Sequence, residues 1–465
     1  MFKVKIEHDK TICALATGGG MSAIAVIRVS GKDAFVLCDT VFKGKNGKQL
    51  ANQKGYTIHF GEIHLDGNVI DEVLVSVFRG PHSYTGEDTL EISCHGSTFI
   101  QQEILSAFYS TGIQPAKPGE FTLRSFLNGK MDLSQAEAVA DLISSENRAS
   151  HNLAIKQLRG GFSHEIAALR ERLMNFAALI ELELDFSSED VEFADRGLLR
   201  TLVSYVIEVV HNLRDSYAMG NVLKQGIPVT IAGRPNAGKS TLLNALLNED
   251  RAIVSPIAGT TRDSIEDSIV IDGISFRFID TAGLRDSDDE IESVGIERSY
   301  AKIDEAEIVL YLFDASHSNQ QQLLEDLSVL RARTSLGKFI IPVGNKVDQL
   351  DNSVTDVFNQ LEGAVWISAL KKNGIEQLKL ELLNWVNAGL SGPSETIVTN
   401  ARHVDALRRA EENLIDVRKG LDLHIPGDLL AIDIRAALST LSEITGQVNN
   451  EDLLGHIFGK FCIGK

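Results

Sequence analysis

The sequence lacks the features that place a chain in a membrane or direct it to export. No apolar run approaches the ~18 residues of a membrane-spanning helix, and the amino-terminal MFKVKIEHDKTI lacks the apolar region of a secretory signal. The cysteines, Cys13, Cys38, Cys94 and Cys462, lie far apart, and the sequence has neither a C-x-x-C pair nor a histidine-rich cluster. These absences predict a cytoplasmic protein with reduced thiols, no membrane span and no structural zinc.

An excess of positive charge is also missing. The chain has 45 Lys and Arg against 64 Asp and Glu, so its formal net charge is −19. This charge argues against a protein whose whole surface binds nucleic acid, although one domain can still carry a local basic patch. The 465 residues, 43% of them apolar, favour about three domains.

One glycine-rich segment carries a specific chemistry. GRPNAGKS at 233–240 matches G-x-x-x-x-G-K-[ST], between a strand-like run that ends at Ala232 and the helix-like TLLNALL. In this strand–turn–helix context the backbone N–H groups and the helix N-terminus bind phosphate oxygens. Lys239 supplies a positive charge to the β- and γ-phosphates, and Ser240 supplies a hydroxyl ligand to Mg²⁺. The segment therefore predicts a phosphate-binding loop.

Two further motifs follow strand-like runs and point to GTP. DTAG at 280–283 places the carboxylate of Asp280 on the Mg²⁺ side and the N–H of Gly283 toward the γ-phosphate. In NKVD at 345–348, Asp348 can accept two hydrogen bonds from guanine, a donor pair that adenine lacks. Ser368-Ala369-Leu370 is the expected place for backbone contacts to the base. The order and spacing of these motifs predict a Ras-like GTPase domain.

The residues alone leave the hydrolysis mechanism open. Leu284 follows DTAG, where Ras-like enzymes carry a water-orienting glutamine. Either catalysis is weak, or another polar group replaces it; the acidic stretch 286–292 offers candidates and is otherwise expected to be a solvated loop. SPIAGTTRD at 255–263 occupies the position of the first switch, where Thr261 is a potential Mg²⁺ ligand and Arg262 a candidate arginine finger.

The flanking segments indicate other domains. Residues 1–130 mix strand-like runs at 24–29, 73–78 and 90–95 with a helix-like run at 100–108, which favours a compact α+β domain. His82 and His95 stand alone and are expected to be structural rather than metal ligands.

Helical periodicity flanks the nucleotide-binding segment on both sides. Residues 131–225 predict a helical run to Ser150, a long amphipathic helix over 166–184 and another helix over about 195–219. Residues 388–465 repeat the helical pattern, and 226–387 carry the nucleotide motifs. We expect one helical domain, built from both flanks, with the GTPase domain inserted; two separate bundles are the alternative.

Over essentially its whole length the chain resembles the MnmE (TrmE) family of tRNA-modifying GTPases. Besides the nucleotide motifs, the resemblance rests on IRVSG at 27–31, SYTGED at 83–88, PGEFTLRSFLNGKMDLSQAEAVADLI at 118–143, GIERS at 295–299 and the terminal FCIGK. It implies an N-terminal α+β tetrahydrofolate-binding-like domain, an all-α helical domain and an inserted Ras-like P-loop GTPase α/β domain. Two departures are GGGMSA before IRVSG, where the family usually has a proline- and glycine-rich turn, and SAL in place of the commoner SAK.

For the GTPase domain, the resemblance implies activation by potassium and dimerisation across the nucleotide faces. The side chain of Asn236 and the carbonyls of Ser255, Ile257 and Thr260 match the family's K⁺ ligands. Glu292 matches its catalytic carboxylate, which fills the role left vacant by Leu284. Motifs and resemblance together give these candidate GTP-binding residues: Asn236, Ala237, Gly238, Lys239, Ser240, Thr241, Ser255, Pro256, Ile257, Ala258, Gly259, Thr260, Thr261, Asp280, Thr281, Ala282, Gly283, Asn345, Lys346, Asp348, Ser368, Ala369 and Leu370.

For the rest of the chain, the resemblance implies a constitutive homodimer that binds 5-formyl- or methylene-tetrahydrofolate through Arg28, Glu87, Lys130 and Lys465. With the FAD-containing MnmG (GidA), in a heterotetramer, the family installs a carboxymethylaminomethyl or aminomethyl group on C5 of the wobble uridine of certain tRNAs. Cys462 is a candidate nucleophile by position, although a small apolar core or tail residue is the favoured interpretation. The alternative function is a regulatory or ribosome-assembly GTPase, for which the terminal FCIGK and a folate-like domain have no evident use.

Overall fold

The computed structural model describes residues 10–185, 195–250, 267–279, 303–334, 338–350, 358, 361, 363–390, 396–448 and 451–465. The β-strands in these ranges are β1 (Ile12–Leu15), β2 (Ile24–Ser30), β3 (Phe42–Gly44), β4 (Thr57–Leu65), β5 (Asn68–Phe78), β6 (Thr89–His95), β7 (Gln114–Pro115), β8 (Ile227–Gly233), β9 (Asp267–Ile271), β10 (Ile274–Phe278), β11 (Ile308–Asp314), β12 (Phe339–Asn345) and β13 (Val365–Trp366). The α-helices are α1 (Ala34–Asp39), α2 (Thr98–Ser110), α3 (Glu120–Leu127), α4 (Leu133–Ile143), α5 (Arg148–Leu158), α6 (Gly161–Asp185), α7 (Arg196–Asp215), α8 (Tyr217–Gln225), α9 (Lys239–Asp250), α10 (Gln320–Arg333), α11 (Ile375–Leu390), α12 (Ala401–Asp422), α13 (Gly427–Thr445) and α14 (Glu451–Phe458).

One compact unit consists of Met1–Ala140, Gln157–Asp195 and His424–Lys465. Its sheet, among the residues described, has the order β3-β4-β5-β6-β2-β1-β7. The strands pair antiparallel except for β1 and β7, which run parallel. Alternate residues of β2 and the apolar face of α2 are buried in one core, as the period of two in the strand-like sequence predicts.

The carboxyl terminus of the chain belongs to this first unit. Phe458 in α14 and Phe461 after it pack with Leu123 of α3 and Leu133 of α4. The backbone N–H of Gly119 donates to the carbonyl oxygen of Cys462 at 3.4 Å. A Cβ on Gly464 would collide with the carbonyl oxygen of Leu15 in β1, so the backbone passes close to the sheet there. These contacts fix the last residues of the chain beside the amino-terminal sheet.

The second unit consists of Asp141–Lys156 and Arg196–Leu423. Within its described part, the strands are ordered β13-β12-β11-β8-β10-β9. Every pair is parallel except the β9–β10 hairpin, whose turn residues Asp272 and Gly273 have φ values of 48° and 78°. Two positive φ values are typical of the tight hairpin turn that an Asp-Gly pair favours. The parallel strands direct the loops that follow β8, β11 and β12 to one edge of the sheet.

Two predicted helices are each divided in the structure. The run expected to reach Ser150 ends at Ile143, and α5 begins at Arg148. The side chain of Asn147 accepts a hydrogen bond from the N–H of Ser150 at 2.9 Å, so it caps a new helix. The helix expected over about 195–219 divides at Ser216, whose hydroxyl donates to the carbonyl of Leu213 at 2.7 Å and accepts from the N–H of Val398 at 3.0 Å.

The amino- and carboxyl-terminal helical segments contact each other in both units. In the first unit α6 packs against α13, and in the second α7 packs against α12. A polar cluster reinforces the latter pair: Glu411 of α12 accepts from Arg214 and contacts the ring of His211 on α7 at 2.9 Å. The predicted domain borders at 130, 225 and 387 stay predictions. No helix in the described residues is long and apolar enough to span a membrane.

Candidate guanine-nucleotide site

The segment 233–240 forms a tight loop between β8 and α9 whose conformation depends on its glycines. Gly233 has φ 146° and Gly238 has φ 96°, values that side chains rarely tolerate. A Cβ at 233 would collide with the carbonyl oxygen of Leu312, and one at 238 with the side-chain amide of Asn345. Asn236 has φ 60°, a left-handed conformation in which asparagine is enriched. The loop therefore has the shape that a phosphate-binding backbone requires.

The ammonium group of Lys239 is held at this loop. Its Nζ donates to the carbonyl oxygen of Gly233 at 2.8 Å and to that of Arg234 at 3.4 Å. Burial lowers the pKa of Lys239 because a charged amine loses hydration in a partly enclosed site. Ser240 follows in the first turn of α9 and is exposed. The ammonium group and the hydroxyl therefore lie at the same end of α9.

The NKVD motif fastens this loop. The Asn345 side chain donates to the carbonyl oxygen of Ala237 at 2.8 Å and accepts from the backbone N–H of Ala369 at 3.0 Å. Lys346 has φ 64°, and its Nζ donates to the carbonyl oxygen of Asn236 at 2.9 Å. The first two residues of the motif thus join the phosphate loop to the segment after β13.

Asp348 is placed to accept hydrogen bonds at the open end of the site. Hydrogen bonds from Ser368 and from Lys371 hold the pKa of its carboxyl below the usual value, despite some loss of hydration. The ammonium of Lys371 lies 3.4 Å from the Asp348 carboxylate. Leu370 is 77% exposed and stands at the rim, next to the buried Ser368. An ionised acceptor beside a backbone segment matches the donor edge of guanine.

The structure brings together a large part of the predicted nucleotide-binding set. The following residues line one edge of the sheet: Asn236, Ala237, Gly238, Lys239, Ser240, Thr241, Asn345, Lys346, Asp348, Ser368, Ala369 and Leu370. Other predicted residues lie outside those that the structure describes: Ser255, Pro256, Ile257, Ala258, Gly259, Thr260, Thr261, Asp280, Thr281, Ala282, Gly283 and Glu292.

Sequence reasoning missed Asp314, which ends β11 at the same edge. Its carboxylate accepts from Lys346 Nζ at 2.7 Å and from the N–H and hydroxyl of Ser316 at 2.9 and 2.5 Å. Burial alone would raise the pKa of Asp314, but these donors lower it below the usual value. An acidic residue at the carboxyl end of a buried parallel strand was the signal that could have identified it.

The first unit holds a second cluster, which contains the residues expected to bind folate. Arg28 in β2 donates to Glu91 from Nε at 3.0 Å and from Nη2 at 2.8 Å. Its guanidinium lies over the rings of Tyr84 and Phe121, at 5.0 and 5.6 Å from their centroids. Burial lowers the pKa of Lys465, and the nearby positive charge of Arg28 lowers it further. The positive charges of Arg28 and Lys465 therefore act on each other.

Glu87 and Lys130 occupy the loops next to this cluster. Glu87 accepts from the hydroxyl of Ser30 at 2.8 Å and from Arg124 at 3.1 Å. Arg124 also donates to Glu120 at 2.9 Å, and its side chain is only 2% exposed. Lys130 donates to the carbonyl oxygen of Pro81 at 2.9 Å. Arg124 and Glu91 were missed because nothing in their sequence spacing marks a partner far along the chain.

The isolated cysteines and histidines form no metal site in the part of the chain described: no group of three or more His, Cys, Asp or Glu side chains is placed to hold an ion. Burial raises the pKa of Cys13 to about 12 and that of Cys94 to about 11. Cys38 is also buried, whereas Cys462 is exposed. His95 pairs with Asp71 at 2.7 Å.

Two protein-family models match successive parts of the chain. Residues 11–130 match the model "GTP-binding protein TrmE N-terminus", and residues 133–462 match "MnmE helical domain". A tRNA modification GTPase MnmE of Flavobacterium johnsoniae is 54% identical over 464 residues, which cover 98% of this chain and 100% of the relative. The protein of that name from Cytophaga hutchinsonii is 52% identical over 459 residues, covering 99% of this chain and 98% of the relative.

Solved structures match a smaller share of the chain. A variant of Era from Aquifex aeolicus, bound to GDP·AlF4⁻, is 24% identical over 40% of this chain and 66% of its own, with a TM-score of 0.25. That score is too low to support an argument, whereas the relatives match the chain from end to end. With its amino-terminal α+β domain, its helical domain and its Ras-like P-loop domain, the chain belongs to the MnmE (TrmE) family of tRNA modification GTPases.

Proposed function

We propose that this chain is a potassium-activated GTPase whose GTPase domains dimerise, and that it modifies wobble uridine with an FAD-dependent partner of the MnmG/GidA type. The product is a carboxymethylaminomethyl or aminomethyl group on C5 of that base in certain tRNAs, with tetrahydrofolate as one-carbon donor. GTP hydrolysis in tRNA modification follows from the family. The observation that supports the other parts of the proposal is that one chain contains two sites: a nucleotide site that includes Asp348, paired with Lys371, and a separate cluster in which Arg28 pairs with Glu91 over the ring of Tyr84.

The residues present suit magnesium. Mg²⁺ prefers hard oxygen ligands and keeps several waters, so a hydroxyl beside the triphosphate is an appropriate protein donor. Ser240 is exposed at the first turn of α9, beside the Lys239 charge. With Thr261 as second ligand, Ser240 would hold Mg²⁺, which neutralises phosphate charge when bound.

Potassium is the proposed counterpart of an arginine finger. Asn236 presents an exposed side-chain amide on a left-handed turn, while its own carbonyl is bonded to Lys346. A neutral amide oxygen suits a singly charged ion, and the carbonyls of Ser255, Ile257 and Thr260 would complete the set. Such an ion supplies positive charge near the β–γ bridging oxygen. Glu292 would orient the attacking water, the task that Leu284 has no polar group to perform.

The amino-terminal cluster is proposed to bind 5-formyl- or methylene-tetrahydrofolate. Arg28 and Lys465 offer two cations for the glutamate carboxylates of such a ligand, and the rings of Tyr84 and Phe121 offer apolar faces. Arg28 Nη1 is buried without a hydrogen-bond partner among the residues described, an arrangement that a ligand oxygen would satisfy. Glu87 is held in a fixed orientation by Ser30 and Arg124 and would accept from the pterin.

The homodimer is proposed to form through the amino-terminal unit. Ile58 and Phe60 on β4 are 66% and 43% exposed, and Leu74, which pairs with Phe60 from β5, is 48% exposed. Adjacent exposed apolar residues on one sheet face are typical of a protein interface. We also propose a cytoplasmic location, where tRNA and reduced thiols are found.

The experiment is nucleoside mass spectrometry of tRNA from cells that lack this chain. We expect the 5-substituted wobble uridine to disappear, to return with the wild-type protein, and not to return with Glu292→Ala. Glu290→Ala, in the same acidic stretch, is the matched control and should restore it. An unchanged nucleoside in the deletion strain would reject the tRNA role and favour the regulatory or ribosome-assembly alternative.

A further inference from the structure

Arg234, the second residue of the phosphate loop, is bound by a helix outside the nucleotide motifs. Its Nε and Nη2 donate to one carboxylate oxygen of Asp326 in α10, at 3.0 and 2.8 Å. The hydroxyl of Tyr311 in β11 donates to the same oxygen at 2.9 Å. With its amide oxygen turned toward Arg234, Gln322 accepts from both terminal nitrogens at 3.1 and 3.2 Å. Two side chains of α10 therefore bind this guanidinium, and Tyr311 of β11 holds one of them, Asp326, in place.

The contacts of Asp326 and Gln322 with Arg234, called here the Arg234 anchor, act on the backbone that holds Lys239. The carbonyl oxygen of Arg234 accepts from the N–H of Ala237 and from Lys239 Nζ, both at 3.4 Å. A shift of Arg234 would consequently move the first turn of the loop and one of the two carbonyls that orient the ammonium.

The far side of the loop has its own anchors. Asn345 binds the carbonyl of Ala237, and Lys346 binds the carbonyl of Asn236. Between the two sets lies Asn236 with its φ of 60°. A left-handed residue persists only where the surroundings fix it. The contacts of Arg234 on one side and of Asn345 and Lys346 on the other fix the backbone at Asn236.

Close packing alone does not hold Arg234. Its side chain is 53% exposed, and a cavity of about 270 Å³ lies beside it, bordered also by Pro235, Tyr311 and Asp326. The guanidinium has room to leave, so hydrogen bonds and charge keep it in place. Burial and the neighbouring Asp326 carboxylate raise the pKa of Tyr311 to about 12, so this hydroxyl stays a donor to Asp326 at neutral pH.

We propose that Asp326, supported by Tyr311 and Gln322, is a positioning residue for the GTPase reaction: it fixes the phosphate loop through Arg234. Asp326 acts through Arg234 and does not itself bind the nucleotide or its metal ion. Its loss releases the first turn of the loop, which weakens the grip on the phosphates and speeds nucleotide release. Nucleotide release requires neither potassium nor tRNA, so failure of this inference is distinguishable from failure of the proposed function.

The test is the rate at which a fluorescent GDP analogue leaves the full-length protein, measured by stopped flow. Asp326→Ala is expected to speed release about 5-fold, the loss of one charge-assisted contact at a partly exposed site. Asp326→Asn is expected to give an intermediate rate, because it keeps an acceptor without the charge. Glu325→Ala, the exposed neighbour on α10, should release GDP at the wild-type rate. Thermal unfolding of each variant establishes that it is folded.

A double substitution separates positioning from a general effect on α10. If Asp326 acts through Arg234, adding Asp326→Ala to Arg234→Ala will change the release rate little, because the anchor is already lost. Equal release rates for Asp326→Ala and Glu325→Ala would overturn the proposal. So would full additivity of Arg234→Ala and Asp326→Ala. If Asp326→Ala does not fold, Asp326→Asn replaces it in the comparison with Glu325→Ala and in the double substitution with Arg234→Ala, and the same outcomes would overturn the proposal.

Discussion

Arg124 Nη1 lies 3.1 Å from a carboxylate oxygen of Glu87, and the arginine side chain is 2% exposed while the glutamate is 19% exposed. A second carboxylate, that of Glu120, lies 2.9 Å from Nη2 of the same guanidinium. One buried cation therefore holds two acids that are far apart in the sequence. The loop carrying Glu87 depends on a helix about thirty residues later.

Replacing Arg124 by methionine is expected to destabilise the protein by about 3 kcal/mol, because two poorly hydrated carboxylates lose their counter-charge. Denaturant titration measures the change in free energy of unfolding. Arg159→Met, at an exposed position of the same unit, is the control and should cost little. Binding of 5-formyl-tetrahydrofolate should weaken in Arg124→Met, since Glu87 is no longer held. Unfolding that matches the Arg159→Met control would contradict this interpretation.

Asp348→Asn is expected to change the base that the site accepts. Guanine presents two donors to the Asp348 carboxylate, whereas an asparagine amide offers one acceptor and one donor. The donor suits the C2 carbonyl of xanthine, so GTP affinity should fall by roughly 10²-fold or more while XTP affinity rises. Competition binding with both nucleotides, on wild-type and variant protein, provides the measurement. If the variant bound GTP as tightly as the wild-type protein does, a group other than Asp348 would be responsible for recognising guanine.

Nucleotide binding is expected to take up a proton at alkaline pH. Burial lowers the pKa of Lys239 below 10.5 in the free protein, and bound phosphates raise it again because they favour the charged amine. Affinity is therefore greatest below the lowered pKa of the free protein and falls as the pH rises through it toward the pKa of the complex. Calorimetry at about pH 9 in two buffers of different ionisation enthalpy measures the uptake. If the Lys239→Arg protein took up the same proton when it binds nucleotide, another group would be the one that is protonated.

The thiols are expected to differ sharply in reactivity. Burial raises the pKa of Cys13 to about 12 and that of Cys94 to about 11, and it raises the pKa of Cys38 as well. A protonated, enclosed thiol is a poor nucleophile, so iodoacetamide should label only the exposed Cys462 in the native protein. Peptide mass spectrometry locates the label, and Cys462→Ser should abolish it. Rapid labelling of Cys13 would contradict the complete burial of this residue in β1.

Each nucleotide motif could be recognised in the sequence because it is a short continuous segment, whereas the contacts between motifs, such as that of Asn345 with Ala237, join residues 108 positions apart. Gly238 and Lys239 lie in one turn, and the NKVD residues follow directly from the strand that carries them. Backbone geometry alone places such residues, so a short motif suffices. Helix ends were less predictable. Side-chain hydrogen bonds of Asn147 and Ser216 to the backbone divide two predicted helices, and the spacing of apolar residues does not reveal such bonds.

Contacts between residues far apart in the chain could not be predicted from the sequence. Arg234 and Asp326 are separated by 92 residues, and neither position shows a pattern that identifies the other. The same holds for Arg28 and Glu91, which become neighbours only because β2 pairs with β6. A single sequence gives periodicity and motifs, while pairings of this kind depend on the register of the completed sheet.

The central chemical claim is that a potassium ion bound at Asn236 replaces an arginine finger. The most direct measurement is GTP turnover in KCl and in NaCl at equal ionic strength, for the wild-type protein and Asn236→Ala, with GTP affinity determined alongside. We predict wild-type turnover at least roughly tenfold faster in KCl, and an Asn236→Ala protein that binds GTP but hydrolyses it slowly in both salts. Equal wild-type rates in the two salts would contradict the claim.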